Sequence, residues 1–398
     1  MPFPKLATWR DNDLSWLEGP LNPDSVVDKN WIKTLPKIDL HLHLGGFASH
    51  GELLHEVQKA AKQKHDAFKN APILPEKWPR PDSPIALDEY MQLGNATGSE
   101  LLYDCGCLEK QCELLYKHLS EQNVIYAEVR SSPVNYIKKD KAFPNSWEVL
   151  RMIQEAFAKL MRENPGGPFI NLIVIATRRL NDSKDYRADI SRHRSLAITA
   201  SEQWTDENSP RIVGVDLAGY ETPETRPHTY RADFTGIHRC GLAITVHAGE
   251  NDKAEGIWDA VFNLNARRIG HALSLTNSPD LLRSVSERRI AIEMCPYSNY
   301  QIKDFSPMPG KSEKYPLKSY LDKGVAVTIN TDNPGISDAD ISDNIMFVAK
   351  MNPEFTRLDV LRCLRNALDA AFISHEQGLR LIEKIHIKPP RVDQRENS

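Results

Sequence analysis

Four histidines, a glutamate and an aspartate stand where their spacing could do chemistry. His41 and His43 lie two apart near the end of LPKIDLHLHL (35 to 44), His247 and Glu250 close LAITVHAGE (242 to 250), His271 lies in RRIGHALSL (267 to 275), and Asp332, followed by Asn333, closes VAVTINTDNP (325 to 334). On an extended chain the i, i+2 spacing of His41 and His43 points both imidazoles to one side. Three histidines and an aspartate brought together make a nitrogen and oxygen donor set whose usual occupant is zinc. Bound zinc would acidify a water enough to supply hydroxide near neutral pH. A single strand-borne histidine is more often a hydrogen-bonded structural residue. Recurrence at four strand ends is what points to a metal, because burying so many ionisable groups together is costly without a cation.

These residues need strands to carry them, and the sequence offers eight. Besides the four runs above they are VIYAEVRSS (124 to 132), FINLIVIAT (169 to 177), IVGVDLAGY (212 to 220) and IAIEMCPYSN (290 to 299). Several are almost continuously apolar, as strands covered on both faces must be, and segments such as 107 to 121, 146 to 163 and 276 to 288 have helical spacing. Strand and helix alternating eight times predict a (β/α)8 TIM barrel, whose interior-facing residues at the strand ends build the active site. An open doubly wound sheet is the rival, but no glycine-rich phosphate loop follows any strand. The long stretch 45 to 123, with a helical piece at 51 to 70 and a proline-rich patch at 71 to 84, predicts a helical lid inserted after the first strand. Residues 1 to 34 read as an irregular N-terminal arm, 35 to 386 as the barrel and 387 to 398 as a frayed polar tail. Glu128 and Arg130, on one face of the second strand, read as an internal ion pair shaping the barrel, with catalysis as the less favoured alternative.

Composition narrows the function classes. Lys plus Arg number 50 and Asp plus Glu 54, for a net charge of −4, with opposite signs interleaved, so no nucleic-acid-binding stripe is present. No run approaches the roughly 18 apolar residues of a membrane span, and the first residues lack the order of a secretory signal, which predicts a cytoplasmic protein. Six cysteines without a C-x-x-C pair read as reduced and mostly packed. Barrel proteins often associate, so a homo-oligomer is allowed for.

Taken in order, LPKIDLHLHL, YAEVRSSP, VDLAGYE, HAGE, GHA, CPYSN and NTDNP resemble the motifs of the adenosine/AMP deaminase group of metal-dependent amidohydrolases, over nearly all of 35 to 350. The resemblance implies that His41, His43, His247 and Asp332 hold one zinc ion and that Asp332 also takes part in catalysis. It implies that Glu250 carries a proton to N1 of a purine, that His271 orients and deprotonates the attacking water, and that Gly219 meets N3 through its backbone. The expected reaction is hydrolytic deamination of an adenine nucleotide or nucleoside. Binuclear amidohydrolases carry a modified lysine at the end of the fourth strand, and IVGVDLAGYE has none.

Two positions depart from the adenosine-deaminase pattern. Gly45 stands where an aspartate binds the ribose 5′-hydroxyl, and Asn333 replaces an aspartate after the metal-binding one. An aspartate at the 5′ position would repel a phosphate by several kcal/mol at ~4 Å. Gly45 therefore favours a 5′-phosphorylated substrate, AMP or ATP, with the free nucleoside as runner-up, and Asn333 could donate to N7. Lys138, Lys139, Arg178, Arg179, Lys253 and Lys303 are the candidate phosphate contacts by position. The HLHLGG run with Asn333 is similar to ATP-acting deaminase domains of bacterial antiviral systems, CRISPR-linked ones included, which implies an antiviral effector. The opposing class is a nucleotide-binding regulatory protein without turnover, and the full set of six ionisable residues argues against it.

Overall fold

Runs rich in Val, Ile and Leu cannot be solvated on either side, and in this chain they assemble into one ring. The structure is a computed structural model, and it describes residues 15–47, 87, 90, 105–137, 145–178, 186–303, 305 and 314–387. The strands are β1 Lys37–His43, β2 Val124–Ser131, β3 Phe169–Arg178, β4 Ile212–Gly219, β5 Ala243–Ala248, β6 Arg268–His271, β7 Ala291–Met294 and β8 Val327–Ile329. They pair in parallel in sequence order, β1 to β8. The segment after β8 brings the sheet back to its start: the Asp332 N–H donates to the His41 carbonyl at 2.7 Å, and the His43 N–H to the Asp332 carbonyl at 2.8 Å. The result is a TIM barrel with helices between successive strands, as the eight apolar runs predict.

The expected helices form at Cys105–Glu121, Ser146–Glu163 and Pro279–Glu287, the last preceded by a 3-10 turn at Leu273–Asn277. Cys105–Glu121 falls inside the stretch read as a lid insert, yet it packs against β2 and the following helix, as a barrel crossover does. The helical piece at 51 to 70 and the proline-rich patch lie outside the described residues. The arm is less irregular than expected. Val26–Thr34 is a helix capped by Ser25, which buries Trp31 and Ile32, and Arg357 clamps its Asp28 with two contacts at 2.7 and 2.9 Å. Its polar, evenly charged sequence masked a helix whose stability comes from packing rather than from pattern.

Inside the ring, alternation turns charged side chains toward one another. Arg130 donates to Asp216 at 2.8 Å and to Glu293 at 3.0 Å, and Arg268 pairs with Glu128 and Glu293, all fully buried. The expected Glu128–Arg130 pair is thus corrected: both are structural and interior, but each finds its partners across the barrel, because residues two apart on a strand lie side by side rather than head to head. Glu128 also accepts from the Tyr126 hydroxyl at 2.9 Å and the Phe372 N–H at 2.6 Å. The Arg268 guanidinium lies 3.5 Å from the centre of the Phe372 ring.

Replacing one partner in such a network strands the others without water. Arg268→Met should cost about 3–5 kcal/mol in denaturant unfolding, the range for breaking a buried pair. A cost below about 1 kcal/mol would show that the barrel relaxes around the uncompensated carboxylates.

Candidate active site

The ionisable side chains of the strand ends meet at one mouth of the barrel. His41 and His43 extend from β1 and His247 from β5, while Asp332 reaches in from the turn after β8. The His43 Nε2 lies 3.3 Å from the Nε2 of both His41 and His247, and the Asp332 Oδ1 lies 3.5 Å from His41 Nε2 and 3.3 Å from His43 Nε2. Behind the rings, His41 Nδ1–H donates to Glu293 at 2.8 Å and His247 Nδ1–H to Asp216 at 3.0 Å. With the protons on Nδ1, the Nε2 lone pairs point inward.

Converging lone pairs with no proton between them call for a cation. A tetrahedral site with metal–nitrogen bonds of about 2.0 Å has corners roughly 3.3 Å apart, which matches the spacing of the Nε2 atoms. The donors, three imidazoles and one carboxylate, with carboxylates behind two of the rings, fit a divalent metal such as zinc. The electrostatics agree. Burial pushes His43 and His247 below the usual imidazole range, His43 far below, and so keeps them neutral as ligands must be. Burial would raise the Asp332 carboxyl, but the close approach of His41, and then of the other imidazoles, outweighs that and holds it well below the ordinary range. Burial opposes ionisation of Glu293 too, and Arg130 and Arg268 overcome it.

Glu250 and His271 complete the mouth, and both line the same cavity as His43, His247 and Asp332. Glu250 is buried and its Oε1 has no hydrogen-bond partner among the described residues. Burial first, then the negative charges of Asp332 and Glu221, push its carboxyl well above the usual range and so favour its protonated form. Its backbone is fixed from beneath. The Glu221 carboxylate accepts from the N–H groups of Gly249, of Glu250 at 2.9 Å and of Asn251 at 2.7 Å. His271, lowered well below its usual range mainly by burial and by His41, is a neutral imidazole. His271 and Asp332 have φ of +64° and +62°, a left-handed conformation that costs a residue with a Cβ. Gly219, at φ +103°, lines the cavity where any Cβ would strike the Arg178 carbonyl.

Of the expected contacts, Gly45, Gly219 and Asn333 line the cavity. Arg178 and Lys253 do not. Arg178, expected above the strand ends, is fully buried and spends its guanidinium on the carbonyls of His247 at 2.8 Å and Thr225 at 3.4 Å. Lys253 is exposed just before the helix Ala254–Phe262. Lys303 is at the surface and donates to Asn251 at 3.0 Å, whereas Lys138, Lys139 and Arg179 lie outside the described residues. Asn333 donates to Asp332 Oδ1 at 2.8 Å and to the Tyr90 hydroxyl at 3.3 Å, which occupies the amide expected to reach a purine N7. Sequence reading passed over Asp216, Glu293, Glu221 and Asn299. The first two were detectable as single carboxylates inside otherwise apolar strands.

The purified protein should carry about one equivalent of divalent metal per chain by elemental analysis, and His247→Ala should lose it. Chelation should lower the melting temperature and added zinc restore it, by about 2.7 kcal/mol at a free concentration a hundredfold above Kd. Unchanged stability on chelation would mean that the cluster holds no metal.

Comparison with known proteins identifies the family. Residues 36–388 match the adenosine deaminase family profile. An adenosine deaminase of Enterococcus faecalis is 27% identical over 366 residues, covering 90% of this chain and 98% of its own. Among solved structures, an adenine deaminase of Arthrobacter aurescens superposes with a TM-score of 0.70 at 19% identity, covering 88% of this chain and 98% of its own. The N6-methyl-AMP deaminase of Arabidopsis thaliana does so with 0.65 at 19%, covering 89% and 98%. At these identities the structures bear on the fold alone. The family match spans nearly the whole barrel, and the chain belongs to the adenosine deaminase family of enzymes.

Proposed function

We propose that the protein is a zinc-dependent hydrolytic deaminase that converts an adenine nucleotide to its inosine counterpart and releases ammonia. The observation that carries the reaction is the meeting, at one barrel mouth, of an inward-facing set of four metal donors with a buried carboxylic acid that has no partner of its own. His41, His43, His247 and Asp332 would hold the ion, which when bound lowers the pKa of a coordinated water so that hydroxide is on hand near neutral pH.

The protein's own groups do the rest. The Gly219 N–H meets N3 and places C6 over the ligand set. Protonated Glu250 donates to N1 as C6 takes up oxygen and the ring loses aromaticity, and the amino group then leaves as ammonia. Neutral His271 orients the oxygen nucleophile. Leu87 and Tyr90, from the stretch after β1, pack with Ile302 and Ile336 over the cavity, which supports reading that stretch as a cover that excludes water.

Gly45 supports a phosphorylated substrate. Among the described residues a Cβ there would meet the Tyr136 hydroxyl alone, at 3.9 Å, so the missing side chain leaves room and removes a negative charge, and Ser132 and Asn135 line the same cavity with neutral donors. The N6-methyl-AMP deaminase shares this fold. The free nucleoside is the second reading, favoured by a specific feature: among the described residues Arg130 is the one cation lining the cavity, and Asp216 and Glu293 already hold it.

Ammonia release should be followed with adenosine, AMP, dAMP, ATP and dATP, the triphosphates because of the resemblance to ATP-acting domains. The nucleotide reading expects higher kcat/KM for a phosphorylated substrate; equal or better turnover of adenosine overturns it. Gly45→Asp should depress nucleotide turnover more than nucleoside turnover. Glu250→Gln should lower kcat by about 10²–10⁴ with metal content unchanged. Because Glu250 acts in its protonated form and its pKa is raised, wild-type kcat should hold at neutral pH and fall as pH rises through that value. A flat alkaline limb would assign the proton to another group.

A further inference from the structure

His271 has two ring nitrogens with different surroundings, and one neighbour decides which of them carries the proton. Its Nδ1 lies 2.9 Å from the side-chain amide of Asn299, on the helix Pro296–Lys303 that follows β7. That amide could in principle present either its oxygen or its nitrogen. The far side of Asn299 settles the choice: its oxygen accepts from the Tyr315 hydroxyl at 2.9 Å and from the Cys295 backbone N–H at 3.3 Å. A hydroxyl can reverse its role, but a backbone N–H only donates, so the amide nitrogen cannot sit on that side. Asn299 therefore turns its N–H toward His271, and Nδ1 must accept. Asn299 and His271 are both buried, so water does not compete for the bond.

We propose that Asn299 is a positioning residue that locks His271 in the tautomer with its proton on Nε2 and a lone pair on Nδ1. This rests on the deaminase reading for its catalytic meaning, although not for the tautomer itself. His271 Nε2 has no protein partner among the described residues and the ring lines the cavity, so the N–H it carries is offered to whatever binds there. Toward an oxygen nucleophile this His271 is a hydrogen-bond donor that orients and stabilises charge, and it has no lone pair with which to take a proton from it.

The same choice protects Glu250, whose Oε1 lies 3.5 Å from His271 Nδ1 and has no hydrogen-bond partner. Were Nδ1 to carry the proton, it would donate to Glu250 and favour the carboxylate. With a lone pair on Nδ1, no donor faces Glu250 from that side, and its carboxyl retains the proton that the purine ring must receive.

The test is nitrogen NMR on the full-length, metal-loaded protein labelled with [15N]histidine, with His271 assigned by its loss in His271→Gln. The wild type should show a protonated Nε2 and an unprotonated Nδ1 for His271. Asn299→Asp keeps an oxygen for Tyr315 and Cys295 but turns a second acceptor to His271, so the proton should move to Nδ1. In the same variant kcat should fall about 10–100-fold with KM within about twofold and metal content unchanged, the order for losing a residue that orients a functional imidazole. A protonated Nδ1 in the wild type, or an unchanged tautomer in Asn299→Asp, overturns the proposal. The wild-type spectrum decides even if the variant fails to fold. Absence of turnover on every adenine compound with the wild-type tautomer as expected would count against the deaminase reading instead.

Discussion

Everything at the barrel mouth depends on a guanidinium at its centre. Arg130 joins Asp216 to Glu293, and these two carboxylates orient His247 and His41. The linked buried network holds two arginines, Arg130 and Arg268, and four carboxylates, Glu128, Asp216, Glu293 and Asp332, so 2 − 4 = −2. Unbalanced charge of that size is costly away from water. A divalent cation among the Nε2 atoms brings the sum to zero. The same shortfall explains why His41 alone among the ligand histidines is pushed upward: burial and Arg130 oppose it, but Asp332 and Glu293 prevail.

The arrangement divides labour between two layers. Lower in the barrel, Arg268, Glu128 and the Phe372 backbone close the interior and do not line the cavity at the mouth. At the rim, conformational cost falls on His271, Ala272 and Asp332, all with positive φ, and it is sustained because β5 to β8 and the β1 closure over-determine the backbone there. Arg178 belongs to the structural layer despite its position at the end of β3. Two backbone carbonyls accept from its terminal nitrogens, while its buried Nε has no hydrogen-bond partner among the described residues.

Two carboxylic acids in this site are pushed in opposite directions by their surroundings. The imidazoles around Asp332 favour its ionised form, whereas burial, Asp332 and Glu221 favour the protonated form of Glu250. On the proposed deaminase reading this separates a metal ligand from a proton donor within one site.

The eight apolar runs, the i, i+2 histidines of β1 and the polar residues at strand ends were legible in the chain itself, because burial on both faces and a period of two leave a local signature. So was the candidate cluster of His41, His43, His247, Asp332 and Glu250, as residue types at strand termini. What no local pattern could reveal was pairing across the ring: Glu128 with Arg268 over 140 positions, His41 with Glu293 over 252, and the Asn299 amide on His271. Side-chain partners inside a barrel are chosen by which strands face one another and by the direction of each hydrogen bond. Those are properties of the closed ring, and so the tertiary structure alone decided which carboxylates stand behind the clustered imidazoles, which carboxyl is pushed toward its protonated form, and which arginine turns to backbone carbonyls instead of the cavity.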